Sequence, residues 1–480
     1  MGVSDGRNTV VGSMIWKFLE RMLQQGVSFI VSLVLARILF PEDYGTIALV
    51  QVFINLAAVF INSGFATALI QKKDATDVDF STMFYCSLIC SIAIYLLVFC
   101  VAPLVANFYK QEILCSLLRV FAVQIPLGVY NAIQNAYIAR NMMFRKQFVS
   151  SLITVVISGI IGILMAMGGF GVWALVVQSI SAILINTVVM MFYVPWHPRW
   201  QFSKESAKGL MKYGSRILGA DLSGTFFGEV RSLIIGRVYS STDLAFYNKG
   251  QQLPALANTN LTSTVIAVMF PALARRSDNL EEIRRMTKLS TQVLAFIVTP
   301  VVLGLAAVME PLIEFMYTSK WLQCVFYGQI MCIGYAIGQL GIIPLQVLKA
   351  IGRSDVVLRL EVIKKPAYVV LLIAGVAISV KGLAIAMLVY DIYGTIVNLC
   401  QMKKHINYEY KDQIRDYGPT MLLGTLMCIV VICIPPIGSL FITLVVKVIA
   451  GVMLYMSGAV LLKLNAYTYL KELLLERLGK

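Results

Sequence analysis

Two stretches of this sequence put charged side chains inside segments that are otherwise apolar. In the first, Lys17, Arg21, Gln24, Gln25, Ser28 and Ser32, with Glu20 at the edge, occupy an arc of about 140° when residues are spaced 100° apart around a helix. The opposite face belongs to Ile15, Leu19, Val27, Ile30 and Val34. In the second stretch Asp221, Thr225, Glu229 and Ser232 share one narrow face, Arg216, Ser223 and Arg231 share another, and Gly219, Gly224 and Gly228 interrupt the pattern. A charge at the centre of a membrane helix costs about 2.5–3.5 kcal/mol on insertion scales, so such groups are expected to face water or one another rather than lipid. The first stripe suits the wall of an aqueous cavity; its alternative is a helix end at which Lys17, Glu20 and Arg21 snorkel to the interface. The second predicts a bent helix whose acids pair with basic groups or take a coupling cation, Na+ or H+. A Glu229–Arg231-type pairing that only holds helices together is the structural alternative.

Weaker polar stripes recur at Gln51, Asn55 and Asn62, at Gln124, Asn131 and Asn135, and at Gln251, Asn258 and Thr262. Amides both donate and accept, which suits sugar hydroxyls, but they also bond helices to each other. The Gly224-x-x-x-Gly228 and Gly334-x-x-x-Gly338 spacings predict close helix packing. Signatures of catalysis are missing. His197 and His405 fall in separate segments without metal-ligand spacing, and the sequence has neither a phosphate-binding glycine loop nor a nucleophile elbow. The nine cysteines are odd in number, lie in or beside apolar runs and form no C-x-x-C pair, so they read as small core hydrophobes. No cofactor and no metal site are expected.

The elements that must position these residues follow from composition. Of 480 residues, 59% are hydrophobic and 14% charged, against roughly 25% charged in soluble domains. That excludes a soluble enzyme, a nucleic-acid binder and a disordered scaffold. Apolar runs at about 14–39, 45–70, 81–107, 114–139, 147–167, 171–194, 216–238, 250–273, 289–309, 323–348, 360–380, 383–402, 418–436 and 439–463 predict an all-α integral membrane protein of about fourteen transmembrane helices. The first run carries charges and is long, so it is expected as a retained span rather than a signal peptide. Counting basic residues on alternate sides of these spans gives 28 on one side and 4 on the other, the asymmetry of a protein with both termini in the cytoplasm. The excess of 40 Lys and Arg over 25 Asp and Glu then belongs to cytoplasmic loops, not to nucleic acid. The basic, aromatic segment from Pro195 to Ser215 is expected to lie along the inner membrane surface.

An internal repeat shows at an offset of 200 residues: Ser32-Leu33-Val34-Leu35-Ala36-Arg37 aligns with Ser232-Leu233-Ile234-Ile235-Gly236-Arg237, Asp43 with Asp243, and Gln51 with Gln251. Both copies start from the same side, so the repeat is parallel and relates spans 1–6 to spans 7–12, as in transporters built from two pseudo-symmetric bundles. Arg37 and Arg237 are expected to cap helix ends or pair with Asp43 and Asp243. The organisation predicted is an N-terminal lobe at 14–194, a cytoplasmic loop at 195–215, a C-terminal lobe at 216–404, a loop and two further spans at 405–464, and an amphipathic cytoplasmic tail at 465–480.

Residues 35–45 (LARILFPEDYG), 68–74 (ALIQKKD), 169–176 (GFGVWALV), 234–254 (IIGRVYSSTDLAFYNKGQQLP), 269–275 (MFPALAR) and 299–321 (TPVVLGLAAVMEPLIEFMYTSKW) resemble the bacterial polysaccharide flippases. These are O-antigen, exopolysaccharide and teichuronic-acid exporters of the multidrug/oligosaccharidyl-lipid/polysaccharide (MOP) superfamily. The resemblance implies two six-helix lobes around a central cavity, two extra C-terminal helices, and export of an undecaprenyl-diphosphate-linked oligosaccharide. Tyr239-Ser240 and Ala245 depart from the family's usual Leu-Gly and Gly, which weakens a glycine hinge at that turn. With that substrate, Lys17, Arg21, Arg216 and Arg231 become the cations for the diphosphate, membrane lipids the surroundings, and polysaccharide assembly enzymes candidate partners. Two rivals share part of this pattern: a multidrug or toxin efflux antiporter, and a membrane glycan polymerase or acyltransferase.

Overall fold

The computed structural model describes the backbone of residues 3–61, 69–70, 72, 74–276 and 279–477, and their side chains apart from those of 3–15, 18, 212–213, 215–217, 220, 473–474 and 477. Among the described residues every regular element is a helix, as expected where no water is present to satisfy an open strand edge. The chain divides into two compact units, Met1–Ala245 and Phe246–Lys480. The first contains α1 (Val3–Ile38), α2 (Pro41–Ile61), α3 (Asp77–Tyr109), α4 (Ile113–Phe121), α5 (Gln124–Arg140), α6 (Phe144–Met167), α7 (Val172–Tyr193) and α8 (Lys204–Val238). With α9 (Ser241–Ala274) the chain passes into the second unit, which holds α10 (Leu280–Tyr317), α11 (Cys324–Gly338), α12 (Ile342–Ala350), α13 (Ser354–Ile378), α14 (Val380–Ile406), α15 (Tyr410–Cys433), α16 (Leu440–Leu461) and α17 (Asn465–Arg477).

All fourteen apolar runs are helical where described, two of them as broken pairs: α4 with α5, and α11 with α12 across a 3-10 turn at Gln339–Gly341. Twelve segments are long and apolar enough to cross a membrane; α8 and α13 fall outside that set because of their charges. Polar residues stop and start the helices. Thr76 and Asp79 close a reciprocal capping box on α3, and Ser203, Asn279, Ser379 and Ser439 cap α8, α10, α14 and α16 through their side-chain oxygens.

The repeat is visible in helix boundaries. One pair of helices breaks between Ile38 and Pro41, the other between Val238 and Ser241, an offset of 200 residues at both ends. Asp43 accepts from the Phe40 amide at 3.1 Å and Asp243 from the Ser240 hydroxyl at 2.6 Å, so each aspartate fastens its own turn. Within the first unit the start of α2 lies against the second turn, where a Cβ on Gly45 would run into the Ser241 carbonyl.

The segment after Pro195 departs from expectation. Trp196 is buried among Leu69, Phe80, Met83 and Ile133, and its carbonyl accepts from Gln134 at 2.7 Å. Trp200 is 95% exposed and stacks on Tyr85 at 5.5 Å. Half of the aromatic motif is therefore core, and helix resumes at Lys204, well before the apolar run at 216.

Candidate functional site

In the N-terminal unit α1 buries Val31 and Leu35 against Ala166 of α6 and Ala174 and Leu175 of α7. That leaves Lys17, Arg21, Gln24 and Ser28 exposed along the other side. Glu20 is drawn inward to 5% exposure; one carboxylate oxygen meets Lys17 Nζ at 2.7 Å and the other accepts from Ser151 Oγ of α6 at 3.1 Å. Lys17 thus has an acid beside it, whereas Arg21 is exposed with no ion pair among the described residues. Among the described residues the stripe thus holds one cation paired with an acid and one with no ion pair.

Helix α8 runs unbroken from Lys204 to Val238. Gly219, Gly224 and Gly228 have open space where a Cβ would stand, so they bring no neighbour close. Glycine costs a helix about 1 kcal/mol per residue, too little to break a ladder that flanking residues sustain. Of the Gly334-x-x-x-Gly338 pair, Gly334 is close-packed, a Cβ there lying 2.9 Å from the Asp391 carboxylate, while Gly338 has open space. Asp221 and Ser223 are exposed, Thr225 and Arg231 half-buried, and the side chain of Arg216 lies outside the described residues. Glu229 takes a neutral donor: its Oε1 accepts from Asn55 Nδ2 at 2.8 Å, and Asn55 Oδ1 accepts from Gln51 Nε2 at 2.8 Å. Two residues of one polar stripe and one of another therefore form a single chain of hydrogen bonds. Asn62, in the same stripe, lies outside the described residues.

In the C-terminal unit Gln251 donates to the Tyr335 hydroxyl at 3.5 Å, and Asn258 accepts from Thr262 at 3.3 Å. A groove of about 640 Å³ is lined by apolar side chains including Phe296, Pro300 and Val308 of α10, Met427 of α15 and Val448 and Val452 of α16. Its one cation, Lys447, is 9% exposed and donates to the Ile432 carbonyl in the last turn of α15 at 3.4 Å, where a positive charge complements the helix end. A second opening of about 690 Å³ carries Arg284, Lys288, Asp412 and Asp416. Asp416 joins Lys288 at 2.9 Å and accepts from Tyr408 at 2.9 Å. Burial, and the Asp416 carboxylate beside it, push the Tyr408 hydroxyl above its ordinary range.

The sequence reading missed three buried lysines of this unit. Lys364 is 7% exposed, and Lys249 is 5% exposed beneath Tyr317 at 4.4 Å and Trp321 at 5.6 Å; Lys447 is the third. Lys249 falls one residue before the apolar run at 250–273 and Lys364 inside the run at 360–380; what the sequence does not show is which neighbouring helix buries them.

The helices define a multi-pass membrane protein. A family profile described as "Polysaccharide biosynthesis protein" matches residues 34–326, and the chain belongs to that family. It is 25% identical over 313 residues to the succinoglycan biosynthesis transport protein ExoT of Rhizobium meliloti (strain 1021), covering 65% of this chain and 63% of that protein. It is also 25% identical over 311 residues to the teichuronic acid biosynthesis protein TuaB of Bacillus subtilis (strain 168), covering 62% of each. The matches thus span somewhat under two thirds of those two relatives. Among solved structures, the lipid II flippase MurJ in an inward closed conformation superposes with a TM-score of 0.74 at 17% identity, over 94% of this chain and 98% of that one. An inward-facing multidrug resistance MATE family transporter of the MOP superfamily gives 0.60 at 14% identity, over 82% and 98%. At these identities the likeness is one of fold.

Proposed function

We propose that the protein is a flippase that moves an undecaprenyl-diphosphate-linked oligosaccharide from the inner to the outer leaflet of the bacterial cytoplasmic membrane by alternating access, for cell-surface polysaccharide assembly. The observation that supports this reading is the contrast carried by the membrane helices of one chain. The N-terminal unit exposes Arg21, Gln24, Ser28 and Asp221, while the C-terminal unit holds an apolar groove. An amphiphile with a charged, hydroxyl-rich head and a long hydrocarbon chain asks for both. Arg21, with Arg216 and with Lys17 when Glu20 releases it, supplies charge for the diphosphate. Gln24, Gln51, Asn55 and Gln251 supply donors and acceptors for sugar hydroxyls. Asp221, Thr225, Glu229 and Arg231 serve as a charge pair or as the response to a coupling ion. The relatives named for succinoglycan and teichuronic acid biosynthesis support the substrate class.

Both termini lie in the cytoplasm in this reading, from the 28-to-4 basic asymmetry. Substituted cysteines test it in a background cleared of the nine native ones. Ser354→Cys should be shielded from an impermeant thiol reagent in intact cells, and Ile437→Cys should react; the reverse pattern overturns the topology. The function itself is tested with purified protein in proteoliposomes that carry a fluorescent undecaprenyl-diphosphate glycan. Transfer should bring the label within reach of an external lectin at a rate above protein-free vesicles. Cation flux driven by drug cations, with no such transfer, would instead mark an antiporter.

A further inference from the structure

In the N-terminal unit α6 turns one face to α1. Phe144, Phe148 and Ser151 have the spacing of neighbours on a helix surface, and all three meet α1. Lys17 Nζ lies 5.8 Å from the Phe144 ring, Trp16 packs on Phe148 at 5.2 Å, and Ser151 Oγ donates to Glu20 at 3.1 Å. The two members of the Lys17–Glu20 ion pair therefore differ in access. The carboxylate is shut against α6, its side chain 6% exposed, while the ammonium is 46% exposed, one turn from the exposed Arg21. The internal repeat supplies a control. At an offset of 200 residues the positions of Lys17, Glu20 and Arg21 carry Ile217, Ala220 and Asp221. The mate helix α8 forms without the ion pair, so the pair is not a requirement of the repeated helix itself.

An anion that reaches this stripe finds Lys17 already holding a carboxylate. To take the ammonium it must displace Glu20, and Glu20 stays behind because Ser151, on a different helix, holds its other oxygen. We propose that Glu20 is an internal competitor for Lys17, which weakens the grip of the stripe on a phosphate-bearing ligand and drives that ligand off when the ion pair re-forms. Ser151 is a positioning residue that sets how costly the exchange is. A carboxylate left buried with no partner is strongly unfavourable, and one that keeps a hydroxyl donor is less so. With Ser151 in place the pair opens for a strong anion and closes again behind it. A site that must both load and unload needs that balance, binding its solute well enough to admit it and loosely enough to let it go. A diphosphate can stay on Arg21 while Lys17 is exchanged, since side chains one turn apart are about 5–6 Å apart at Cβ. No proton moves and no covalent bond forms; one anion replaces another on the ammonium. That the ligand is the diphosphate of a lipid-linked glycan rests on the flippase reading; the competition for Lys17 does not.

The test uses variants that leave no charge buried alone. Glu20→Gln removes the competing charge, keeps an acceptor for Ser151 and frees an ammonium that is already half-exposed. Acylation of lysines in the purified full-length protein, read at Lys17 by mass spectrometry, reports how much inorganic diphosphate is needed to protect that side chain. Half-protection should come at about tenfold lower diphosphate in Glu20→Gln than in the native protein, within the ordinary range for coupled groups. Ser151→Ala should move the midpoint several-fold the opposite way, and Ser151→Thr should restore it. Glu20→Gln with Ser151→Ala should behave as Glu20→Gln alone, because the serine acts only through the carboxylate. In proteoliposomes carrying the labelled undecaprenyl-diphosphate glycan, Glu20→Gln should transfer more slowly than the native protein at saturating lipid, as release becomes limiting. The expected midpoints in a protein that transfers no glycolipid would sink the flippase reading and leave the competitor standing. Equal midpoints in the native protein and Glu20→Gln, shifts of one sign in Glu20→Gln and Ser151→Ala, labelling that diphosphate slows in none of them, or undiminished transfer by a variant that binds more tightly overturns the proposal and reduces the pair to a structural tie.

Discussion

The polar groups of the two units are used in opposite ways. In the N-terminal unit the charged stripe of α1 stays on the surface: Arg21 is exposed without an ion pair among the described residues, and Lys17, although held by Glu20, is still half-exposed. In the C-terminal unit three lysines are buried and each has an acceptor or ring beside it: Lys364 has Glu361 and Asn398, Lys447 has the Ile432 carbonyl, Lys249 has Tyr317 and Trp321. A cation that already satisfies its neighbours is a poor ligand for an incoming anion, because binding must first break those contacts. Side chains of the same type, in the same apolar setting, thus divide into groups available for a solute and groups that hold the protein.

The sharpest way to break this comparison is at Arg21. If it is an available phosphate ligand, Arg21→Gln should lower export by more than about tenfold at matched protein level, and Arg21→Lys should recover part of it, because charge survives while the two-pronged geometry is lost. Lys447→Met should do the reverse, weakening thermal stability and leaving the rate per folded molecule within about twofold, as expected of a helix-end contact. Equal transport defects in both variants would erase the distinction between the units.

A smaller effect is expected from the hydrogen-bonded chain Gln51–Asn55–Glu229. Asn55→Leu removes the donor to Glu229 and the acceptor for Gln51, at a cost of about 1–3 kcal/mol for a buried polar group left unmet. Glu229→Gln keeps a hydrogen bond to Asn55 through its amide oxygen and removes only charge. Export that falls several-fold in Glu229→Gln, with thermal stability unchanged, assigns the carboxylate to transport. A defect confined to Asn55→Leu assigns the chain to packing.

How far the sequence could be read follows the same physics. Long apolar runs announced the membrane helices because hydropathy reports burial in lipid directly, but not the start of α8 at Lys204 or the breaks between α4 and α5 and between α11 and α12. The 200-residue repeat was legible because Ser, Arg, Asp and Gln are scarce in spans, and the helix boundaries at Ile38 and Val238 agree with it. Arg21 and Gln24 are exposed, but so are Leu19 and Ile30 of the face opposite the stripe, because one helix's periodicity gives direction and not what that direction meets. Partners did not come out. Periodicity gives direction on one helix and says nothing of which residue stands opposite, so the Asn55–Glu229 bond and the Lys17–Ser151–Glu20 grouping were invisible. Glycine misled for a related reason: Gly45 and Gly219 look alike in sequence, and only the presence of the Ser241 backbone distinguishes a required glycine from an idle one. Gly45→Ala should therefore lower the melting temperature of the protein by several degrees where Gly219→Ala raises it slightly, the latter through about 1 kcal/mol of helix propensity.

The smallest effect concerns the second opening of the C-terminal unit, where Asp416 is held between Tyr408 and Lys288. Tyr408 donates to Asp416 at 2.9 Å while Lys288 meets the other carboxylate oxygen at 2.9 Å. Tyr408→Phe removes one of two partners, so the loss should be about 1–2 kcal/mol rather than the larger penalty of an isolated buried charge. Its pH dependence identifies the contact. The folded state holds the Tyr408 proton more tightly than the unfolded chain, whose phenol titrates at its ordinary value of about 10. The stability it contributes is therefore complete below that pH and lost as pH rises beyond it toward the raised folded value. Melting temperatures measured from neutral pH upward should fall more steeply on the alkaline side for the native protein than for Tyr408→Phe. Export at neutral pH should be the same in both once the amount of folded protein is matched. Parallel alkaline limbs would show that the hydroxyl is not held by Asp416, and a transport defect in the phenylalanine variant would move this opening from the structural to the functional side of the molecule.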